Sequence, residues 1–327
     1  MLVDSFKLPV TCVIGGAGFI GRAVVQELLG LGREVVVLGR KEVPEEVLPA
    51  GVEYVVNDGS DELLRQVLRR ADEVIDLAYA TVPQTSFQDP VHDILTNLPA
   101  TVRLLELAAE ASLHKFVWVS SGGTVYGRSA AAAQDEEHPT NPISPYGITK
   151  LAIEKYARLF YETRGLPVVC VRPSNPFGEG QRAYSGQGFI GTAIASVLDG
   201  KPLSLFGENG TVRDYLHVQD VARGIVAVLL RGRSGEVYNI GSGHGLSNRQ
   251  VLDALAVIAG ASIAVQVLPE RPFDVPLNVL DCRKLTAHTG WRPAMGFGDA
   301  LTQTWQWYER QHAAQQRATL VQPDQNV

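Results

Sequence analysis

A glycine-rich turn near the start of the chain constrains the fold more than any other feature of the sequence. The apolar run Val10–Ile14 leads into the segment GGAGFIG at residues 15–21, and a helical pattern follows. Glycines at 15, 18 and 21 permit a tight turn, close approach of the backbone to a diphosphate, and close packing of a helix on a strand. Because the N–H groups and dipole at a helix N-terminus attract phosphate, this strand–turn–helix unit predicts a dinucleotide site.

The first half of the chain alternates apolar runs with helical patterns. Continuous apolar runs are typical of strands buried on both faces of a parallel sheet. Helices are predicted at about 19–30, 61–70, 91–112 and 146–164. The alternation predicts an α/β fold with a Rossmann-type doubly wound parallel sheet. The predicted strands are Val10–Ile14, Glu34–Leu38, Val52–Val56, Val74–Ala78, Phe116–Ser120 and Pro167–Val171.

The alternation stops after Arg172, where glycine and proline become frequent. A short strand at Leu203–Phe206 and irregularly spaced helices at about 187–199, 218–231, 247–259 and 297–312 predict a second, smaller mixed α/β domain. Near Val237–Ile240 we expect the chain to return to the sheet. The predicted division is a dinucleotide-binding domain of residues 1–172 plus about 215–245, a substrate domain of 173–214 and 246–312, and a disordered Gln-rich tail at 313–327.

Charge and composition exclude several classes of function. The 327 residues carry a formal net charge of -6, and no basic patch of the kind that binds nucleic acid is present. Three cysteines are too few for a disulfide framework, and the histidines lack the spacing of metal ligands. No apolar run reaches the roughly 18 residues of a membrane span, and the first ten residues lack the apolar core of a signal peptide. We therefore expect a cytoplasmic protein that binds neither nucleic acid, metal nor membrane.

A tyrosine and a lysine form the candidate catalytic pair. Tyr146 and Lys150 are four residues apart at the start of a predicted helix, so they share one helix face. A phenol has an ordinary pKa of about 10. A nearby ammonium stabilises the phenolate and lowers that pKa, which gives an acid/base usable near neutral pH.

Several motifs occur together in one order. They are GGAGFIG at 15–21, VSSGGTVYG at 119–127, SPYGITK at 144–150, RPSNPFG at 172–178, VRDYLHV at 212–218 and RPFDVP at 271–276. Over about residues 9–310 the chain resembles the extended short-chain dehydrogenase/reductase superfamily, and within it the NAD-dependent epimerase/dehydratase family, with its UDP-glucose 4-epimerase-type sugar-nucleotide enzymes.

The resemblance implies a role for each matching residue. Tyr146 would be the acid/base at the sugar hydroxyl, and Lys150 would bind the nicotinamide ribose and lower the pKa of Tyr146. Asp58 would contact the adenine. The implied cofactor-binding residues are Gly15, Gly18, Phe19, Ile20, Gly21, Arg40, Asp58, Ala78, Thr81, Asn97, Ser120, Tyr146 and Lys150. The implied substrate-binding residues are Ser121, Asn175, the diphosphate-binding Arg213 and Arg271, Asp274 at the nucleoside ribose, and Asn278.

The end of the second strand leaves the choice between NAD and NADP open. An acidic residue that binds the adenosine ribose is usual there, but this chain has Leu38-Gly39-Arg40. A guanidinium without a carboxylate favours a 2′-phosphate, hence NADP, and Arg22 could assist. If Arg40 is instead a solvated loop charge, the cofactor is NAD.

One motif departs from the family pattern. UDP-galactose-type epimerases carry SSSATVYG, whose third serine assists the catalytic tyrosine, and Gly122 stands at that position here. We expect Thr124 to replace the missing hydroxyl, the alternative being that Tyr146 acts alone or through water. Sugar 4,6-dehydratases carry Thr-Asp-Glu where this chain has Gly122-Gly123-Thr124. The absence of both carboxylates argues against a dehydratase.

Two further positions differ from relatives. Asp76 replaces a histidine at the end of the fourth strand, and we have no interpretation of it. Asn278 is smaller than the tyrosine that restricts the pocket in some epimerases, which favours tolerance of N-acetylhexosamines.

The resemblance implies an NAD(P)-dependent sugar-nucleotide epimerase, which inverts C4 of a UDP-hexose or UDP-N-acetylhexosamine through a transient 4-keto sugar, in polysaccharide biosynthesis. One alternative is an NADP-dependent reductase or dehydrogenase of a nucleotide-linked keto-sugar. Another is a non-catalytic dinucleotide-binding regulator, which retention of Tyr146 and Lys150 opposes. A homodimer through the helices at 97–110 and 146–161 is implied, although these helices could simply cover the sheet.

Overall fold

A seven-stranded parallel sheet forms the centre of the molecule. The computed structural model describes residues 8–42, 48–271 and 274–321. Its strands are β1 Val10–Ile14, β2 Glu34–Gly39, β3 Glu53–Val56, β4 Glu73–Asp76, β5 Lys115–Val119, β6 Val168–Pro173, β7 Asn175–Phe177, β8 Leu203–Phe206, β9 Val212–His217, β10 Val237–Ile240, β11 Gly245–Ser247, β12 Val265–Leu268 and β13 Leu277–Asn278. Its helices are α1 Phe19–Gly30, α2 Asp61–Arg70, α3 Pro83–Gln88, α4 Pro90–Ala109, α5 Pro145–Arg164, α6 Phe189–Leu198, α7 Val218–Arg231, α8 Asn248–Ala259, α9 Arg283–Thr289 and α10 Phe297–Val321.

The strand order of the central sheet is β10-β6-β5-β4-β1-β2-β3, and all neighbouring strands are parallel. The order reverses between β1 and β4, as in a doubly wound Rossmann-type sheet. Alternate residues of the strands pack to opposite sides: Val13 joins a core with α1 and α7, whereas Cys12 and Ile14 join a core with α2, α4 and α5. The predicted fold class is confirmed.

A smaller mixed α/β region follows the sheet. In it, β9 pairs antiparallel with β11 and parallel with β7 and β13, while β8 and β12 form a separate parallel pair. Helices α6, α8 and α10 contribute Ile190, Leu255 and Trp305 to a core of their own. The second domain is thereby confirmed, and the residue bounds given for the two domains stay a prediction.

Two expectations about the second half have different outcomes. The return into the sheet is confirmed, because β10 pairs with β6. The prediction that the last helix ends near 312 and that a disordered tail follows is wrong for the residues described, since α10 continues to Val321. The segment 311–321 is rich in alanine and glutamine, which favour helices, so a polar composition does not end the helix here. Residues 322–327 lie outside the described part.

Candidate active site

A cleft of about 900 Å³ lies at the carboxyl ends of the central strands, where open α/β sheets bind ligands. It is bounded by the segments that follow β1, β4, β5 and β6 and by the start of α5. The predicted site residues that line it are Gly15, Gly18, Phe19, Ile20, Gly21, Thr81, Ser120, Ser121, Thr124, Tyr146, Lys150, Asn175, Arg213, Arg271 and Asp274. Those outside its lining are Arg40, Asp58, Ala78, Asn97 and Asn278.

The glycine turn forms one end of this cleft. Gly15 has a φ of +79°, which favours glycine. A Cβ atom at Gly21 would lie 2.7 Å from Gly16 Cα and would collide with the Gly15 carbonyl oxygen, so the turn and α1 pack without side chains between them. Gly18 is the N-cap of α1 and has no side chain to cap the helix, which leaves the first-turn N–H groups available to a ligand. The residues present therefore fit the diphosphate of a dinucleotide.

The adenosine end of the predicted site lies on the surface. Arg40 and Asp58 are exposed. The Asp58 carboxylate accepts a hydrogen bond from the backbone N–H of Ser60 at 2.8 Å. A Cβ atom at Gly39 would lie 2.8 Å from the ring of the half-buried Tyr54. The roles assigned to Arg40 and Asp58 stay predictions.

Tyr146 and Lys150 lie on one wall of the cleft, in the first turns of α5. The N-cap Ser144 accepts a hydrogen bond from the Gly147 N–H at 3.1 Å and fixes the start of this helix. Lys150 Nζ donates to the Val119 carbonyl at 2.9 Å and lies 4.0 Å from the centroid of the Tyr79 ring. The Tyr79 and Tyr146 rings meet edge to face at 4.9 Å. The lysine thus sits in an aromatic cage beside the candidate acid/base.

The expected lowering of the Tyr146 pKa by Lys150 is not found. Burial raises the pKa of Tyr146, and the negative charge of Asp93 raises it further. Lys150 Nζ lies 5.7 Å from the Tyr146 ring centroid, with its hydrogen bond directed to Val119. Burial lowers the pKa of Lys150 to about 7, against the opposing effect of Asp76 and other carboxylates.

Five buried polar atoms in the cleft lining have no hydrogen-bond partner among the described residues: Tyr79 Oη, Thr124 Oγ1, Ser174 Oγ, Asn175 Oδ1 and Gln181 Oε1. A buried polar atom without a partner is costly, so these atoms indicate a place where a polar ligand completes the site. Thr124 also packs against the catalytic turn, because a Cβ atom at Gly147 would lie 2.7 Å from the Thr124 carbonyl oxygen.

Other predicted cofactor residues are held by contacts within the protein. The Ser120 hydroxyl donates to the Glu154 carboxylate at 2.5 Å. The Ala78 N–H donates to Asp76 Oδ1 at 3.0 Å. Asn97 accepts from the Ala80 N–H at 2.8 Å, so its contact with the site passes through the backbone of the loop after β4.

The substrate side of the cleft carries the two predicted arginines. Arg213 donates to the Val212 and Val275 carbonyls at 2.9 and 2.7 Å. Its neighbour Asp214 instead accepts from Ser242 and from backbone N–H groups. Arg271 pairs with Asp274 through hydrogen bonds of 2.9 and 3.1 Å.

Asn278 is 1% exposed, and its amide donates to the Gly122 carbonyl at 3.0 Å. It also donates to Gln134 Oε1 at 3.3 Å. The amide therefore supports the segment that carries Thr124 from behind. This position does not favour the predicted direct contact with a sugar substituent.

Sequence reasoning did not find Tyr79, Ser174 and Asp93. Tyr79 and Ser174 follow β4 and β6, and the rule that carboxyl ends of parallel strands meet at the ligand site could have found both. Asp93 lies on α4 at 0% exposure, and no sequence motif marks a single buried aspartate.

Among the described residues no helix is both long and apolar enough to cross a membrane. Nor do three or more His, Cys, Asp or Glu side chains of that part come together as a group that could hold a metal ion.

The fold and the cleft define a class of protein: a Rossmann-type enzyme with a diphosphate-binding glycine turn and a tyrosine–lysine pair beside it. The model of the NAD-dependent epimerase/dehydratase family matches residues 11–241, and the chain belongs to this family. It is accordingly an NAD-dependent sugar-nucleotide enzyme.

Relatives of two activities are similar over nearly the whole chain. A dTDP-glucose 4,6-dehydratase of Streptomyces niveus is 33% identical over 92% of this chain and 93% of its own. A UDP-glucose 4-epimerase of Mycolicibacterium smegmatis is 32% identical over 90% of this chain and 96% of its own. The crystal structure of Thermus thermophilus UDP-glucose 4-epimerase with NAD has a TM-score of 0.84 at 35% identity, covering 92% of this chain and 99% of that one.

Proposed function

We propose that the protein is a UDP-sugar 4-epimerase. The observation that carries this proposal is the segment Gly122-Gly123-Thr124: Gly123 and Thr124 line the cleft, and the segment offers a single unpaired hydroxyl and no carboxylate. Elimination of water requires an acid and a base at the substrate, whereas C4 inversion requires only a group that removes and returns one proton. Tyr146 supplies that group.

The proposed reaction uses the chain's own residues for proton transfer and positioning. Tyr146, as phenolate, takes the proton of the C4 hydroxyl, and Thr124 Oγ1 hydrogen-bonds the same oxygen. A nicotinamide dinucleotide held by the glycine turn and Lys150 would supply the redox chemistry, which is reversible transfer of the C4 hydride. Tyr146 then returns the proton to the new alkoxide, so atoms and electrons balance within the site. Arg213 and Arg271 hold the diphosphate while the sugar ring turns over.

We take NAD as the resident cofactor, because the similar Thermus thermophilus enzyme was crystallised with it. Arg40 supports NADP as the alternative, since it stands exposed at the end of β2, where a 2′-phosphate would lie. Regeneration within each turnover requires the cofactor to remain bound, which distinguishes an epimerase from a reductase that releases it.

The test is incubation of the purified protein with NAD and UDP-glucose, UDP-galactose or UDP-N-acetylglucosamine, followed by NMR of the sugar. Expected is the C4 epimer with no net change at the reduced-nicotinamide absorbance band. A net absorbance change with stoichiometric oxidation or reduction of the sugar identifies the reductase alternative. Loss of water from UDP- or dTDP-glucose contradicts the epimerase proposal in favour of a dehydratase.

We also propose that the protein is a homodimer through α4 and α5. These helices carry exposed apolar side chains at helical spacing: Val91, Ile94 and Leu95 on α4, and Ile148, Tyr156 and Leu159 on α5. Apolar side chains grouped on neighbouring helices in this way are typical of an interface. A second copy of the same chain would bury them by twofold symmetry.

A further inference from the structure

A buried carboxylate on α4 connects two walls of the cleft. Asp93 is 0% exposed and accepts hydrogen bonds from two threonine hydroxyls. One oxygen accepts from Thr81, in the loop after β4. The other accepts at 2.6 Å from Thr149, which lies between Tyr146 and Lys150 on α5. The carboxylate therefore joins this loop to the turn that carries the catalytic pair.

The same connection continues through the next turn of α4. Asn97 donates to Thr81 Oγ1 at 3.2 Å and to the Asp93 carbonyl at 2.8 Å. Its side-chain oxygen Oδ1 accepts from the Ala80 N–H at 2.8 Å. Since Thr81 and Ala80 line the cleft, the position of the cleft wall depends on this buried network.

Local structure explains how a carboxylate is held there. Asp89 caps α4 by accepting from the His92 N–H at 2.8 Å, and Pro90 begins the helix. Asp93 follows in the first turn, where the helix dipole favours negative charge. Two hydroxyl donors replace the water that a buried carboxylate loses.

The charge of Asp93 acts on the catalytic pair. It raises the pKa of Tyr146, after burial itself, and burial and Asp93 likewise raise the pKa of Tyr79. It also opposes the lowering of the Lys150 pKa by burial. Because both effects favour bound protons, one charge acts in the same direction on the acid/base and on its neighbouring ammonium.

Building on the proposed function, we propose that Asp93 is a positioning residue for the reaction: its carboxylate accepts from Thr81 and Thr149 and so holds the catalytic turn against the loop after β4. Other titratable groups surround the catalytic pair, namely Tyr79 after β4, Asp76 at the end of β4, and Glu154 on α5. They remain in place when Asp93 is replaced, so the charge of Asp93 can be tested separately.

The test is Asp93→Asn, which keeps the size of the side chain and removes its charge. The active form has a deprotonated Tyr146 and a protonated Lys150, so the pH profile of kcat/KM is bell-shaped and its two limbs belong to the pair rather than to either residue. Both limbs of the pH profile of kcat/KM move to lower pH, by about one pH unit. Thr149→Val is the matched control, since it removes one hydrogen bond of the network and keeps the carboxylate; its profile stays at the wild-type pH even where kcat falls.

A second readout does not depend on turnover. In full-length protein labelled with 13C at the tyrosine ring carbon Cζ and supplied with NAD, the signal lost in Tyr146→Phe belongs to Tyr146. Its titration moves to lower pH in Asp93→Asn and not in Thr149→Val. If the wild type does not interconvert UDP-sugars while this shift is observed, the proposed function fails and the role of Asp93 stands.

Asp93→Ser is a second neutral variant, whose shorter side chain avoids strain if the asparagine disturbs folding. A folded neutral variant with an unchanged Tyr146 titration and an unchanged activity profile overturns the proposal. Failure of both neutral variants to fold also overturns it, because Asp93 would then have a structural role only.

Discussion

Leu280 occupies the space that a side chain at Gly122 would need. A Cβ atom at Gly122 would lie 2.5 Å from Leu280 Cδ1 and 2.9 Å from the Arg172 carbonyl oxygen. The glycine at this position is therefore a steric requirement of the surrounding backbone and core. A hydroxyl that assists Tyr146 has to come from another residue, and Thr124 is the one in this segment whose buried hydroxyl lacks a partner among the described residues.

Gly122→Ser is expected to destabilise the protein by about 1–3 kcal/mol, because the carbonyl neighbours cannot move as a flexible side chain can. It is not expected to raise kcat, although it restores the serine of UDP-galactose-type epimerases. Urea unfolding and steady-state kinetics measure both effects. Gly123→Ala is the control, since its Cβ would lie 3.4 Å from Asn175 Oδ1 in ordinary contact, and its stability should change little. A stable, faster Gly122→Ser enzyme would contradict the steric account.

Thr124→Val should lower kcat by more than about tenfold, with a smaller effect on KM, because the hydroxyl acts during proton transfer. Thr124→Ser keeps the hydroxyl without the methyl group and should retain most of the wild-type kcat. The assignment of Thr124 is wrong if valine and serine variants have equal turnover in the same epimerase assay.

Because Lys150 is buried, we expect the free energy of unfolding to depend on pH. Burial lowers its pKa to about 7 in the folded protein, whereas that of an unfolded lysine is about 10.4. Between these values the unfolded chain binds the proton and the folded chain does not, so the free energy of unfolding rises with pH over this window. Lys150→Met lacks this ionisation and should have the higher Tm at pH 7.

Differential scanning calorimetry of both proteins from pH 6 to 10 tests the prediction. The Tm advantage of Lys150→Met should be largest at pH 6 to 7 and should narrow towards pH 10. All other titrating groups are common to the two proteins, so they largely cancel in the difference. A constant difference across the range would mean that Lys150 titrates normally in the folded state.

The features that depend on local geometry could be predicted from the sequence. The glycine spacing after β1 and the four-residue spacing of Tyr146 and Lys150 are set by turn and helix geometry, and both could be predicted. What could not be predicted depends on packing between distant segments. The contact of Gly122 with Leu280, and the burial of Asp93 between Thr81 and Thr149, join parts of the chain that carry no common pattern.

Lys150 shows a second kind of property that could not be predicted from the sequence. Its spacing from Tyr146 predicts an ammonium that lowers the phenol's pKa, but the direction of a side chain inside a core depends on its neighbours. Here the Val119 carbonyl and the Tyr79 ring hold the ammonium. The sign of a pKa shift therefore could not be obtained from helical spacing alone.

Arg40→Asp tests the cofactor preference. If Arg40 binds a 2′-phosphate, reversal of its charge should weaken NADP binding by at least about tenfold and improve binding of NAD. Fluorescence titration with both dinucleotides measures this. Arg69→Asp is the control, because it makes the same charge change at an exposed site on α2. If the ratio of the Kd for NAD to the Kd for NADP is the same in wild type and Arg40→Asp, Arg40 does not bind the cofactor and is a solvated surface charge.

Leu95→Asp tests the proposed dimer. Leu95 on α4 is 66% exposed, and a carboxylate there would be buried against an apolar surface in a symmetric pair of chains. The wild type is expected to sediment as a dimer and Leu95→Asp as a monomer of unchanged secondary structure. Val257→Asp is the matched control, because Val257 is 83% exposed but lies on α8, away from α4 and α5, and should leave the dimer intact. If the wild type sediments as a monomer at micromolar concentration, or if both variants remain dimeric, the exposed apolar residues of α4 and α5 do not form the interface.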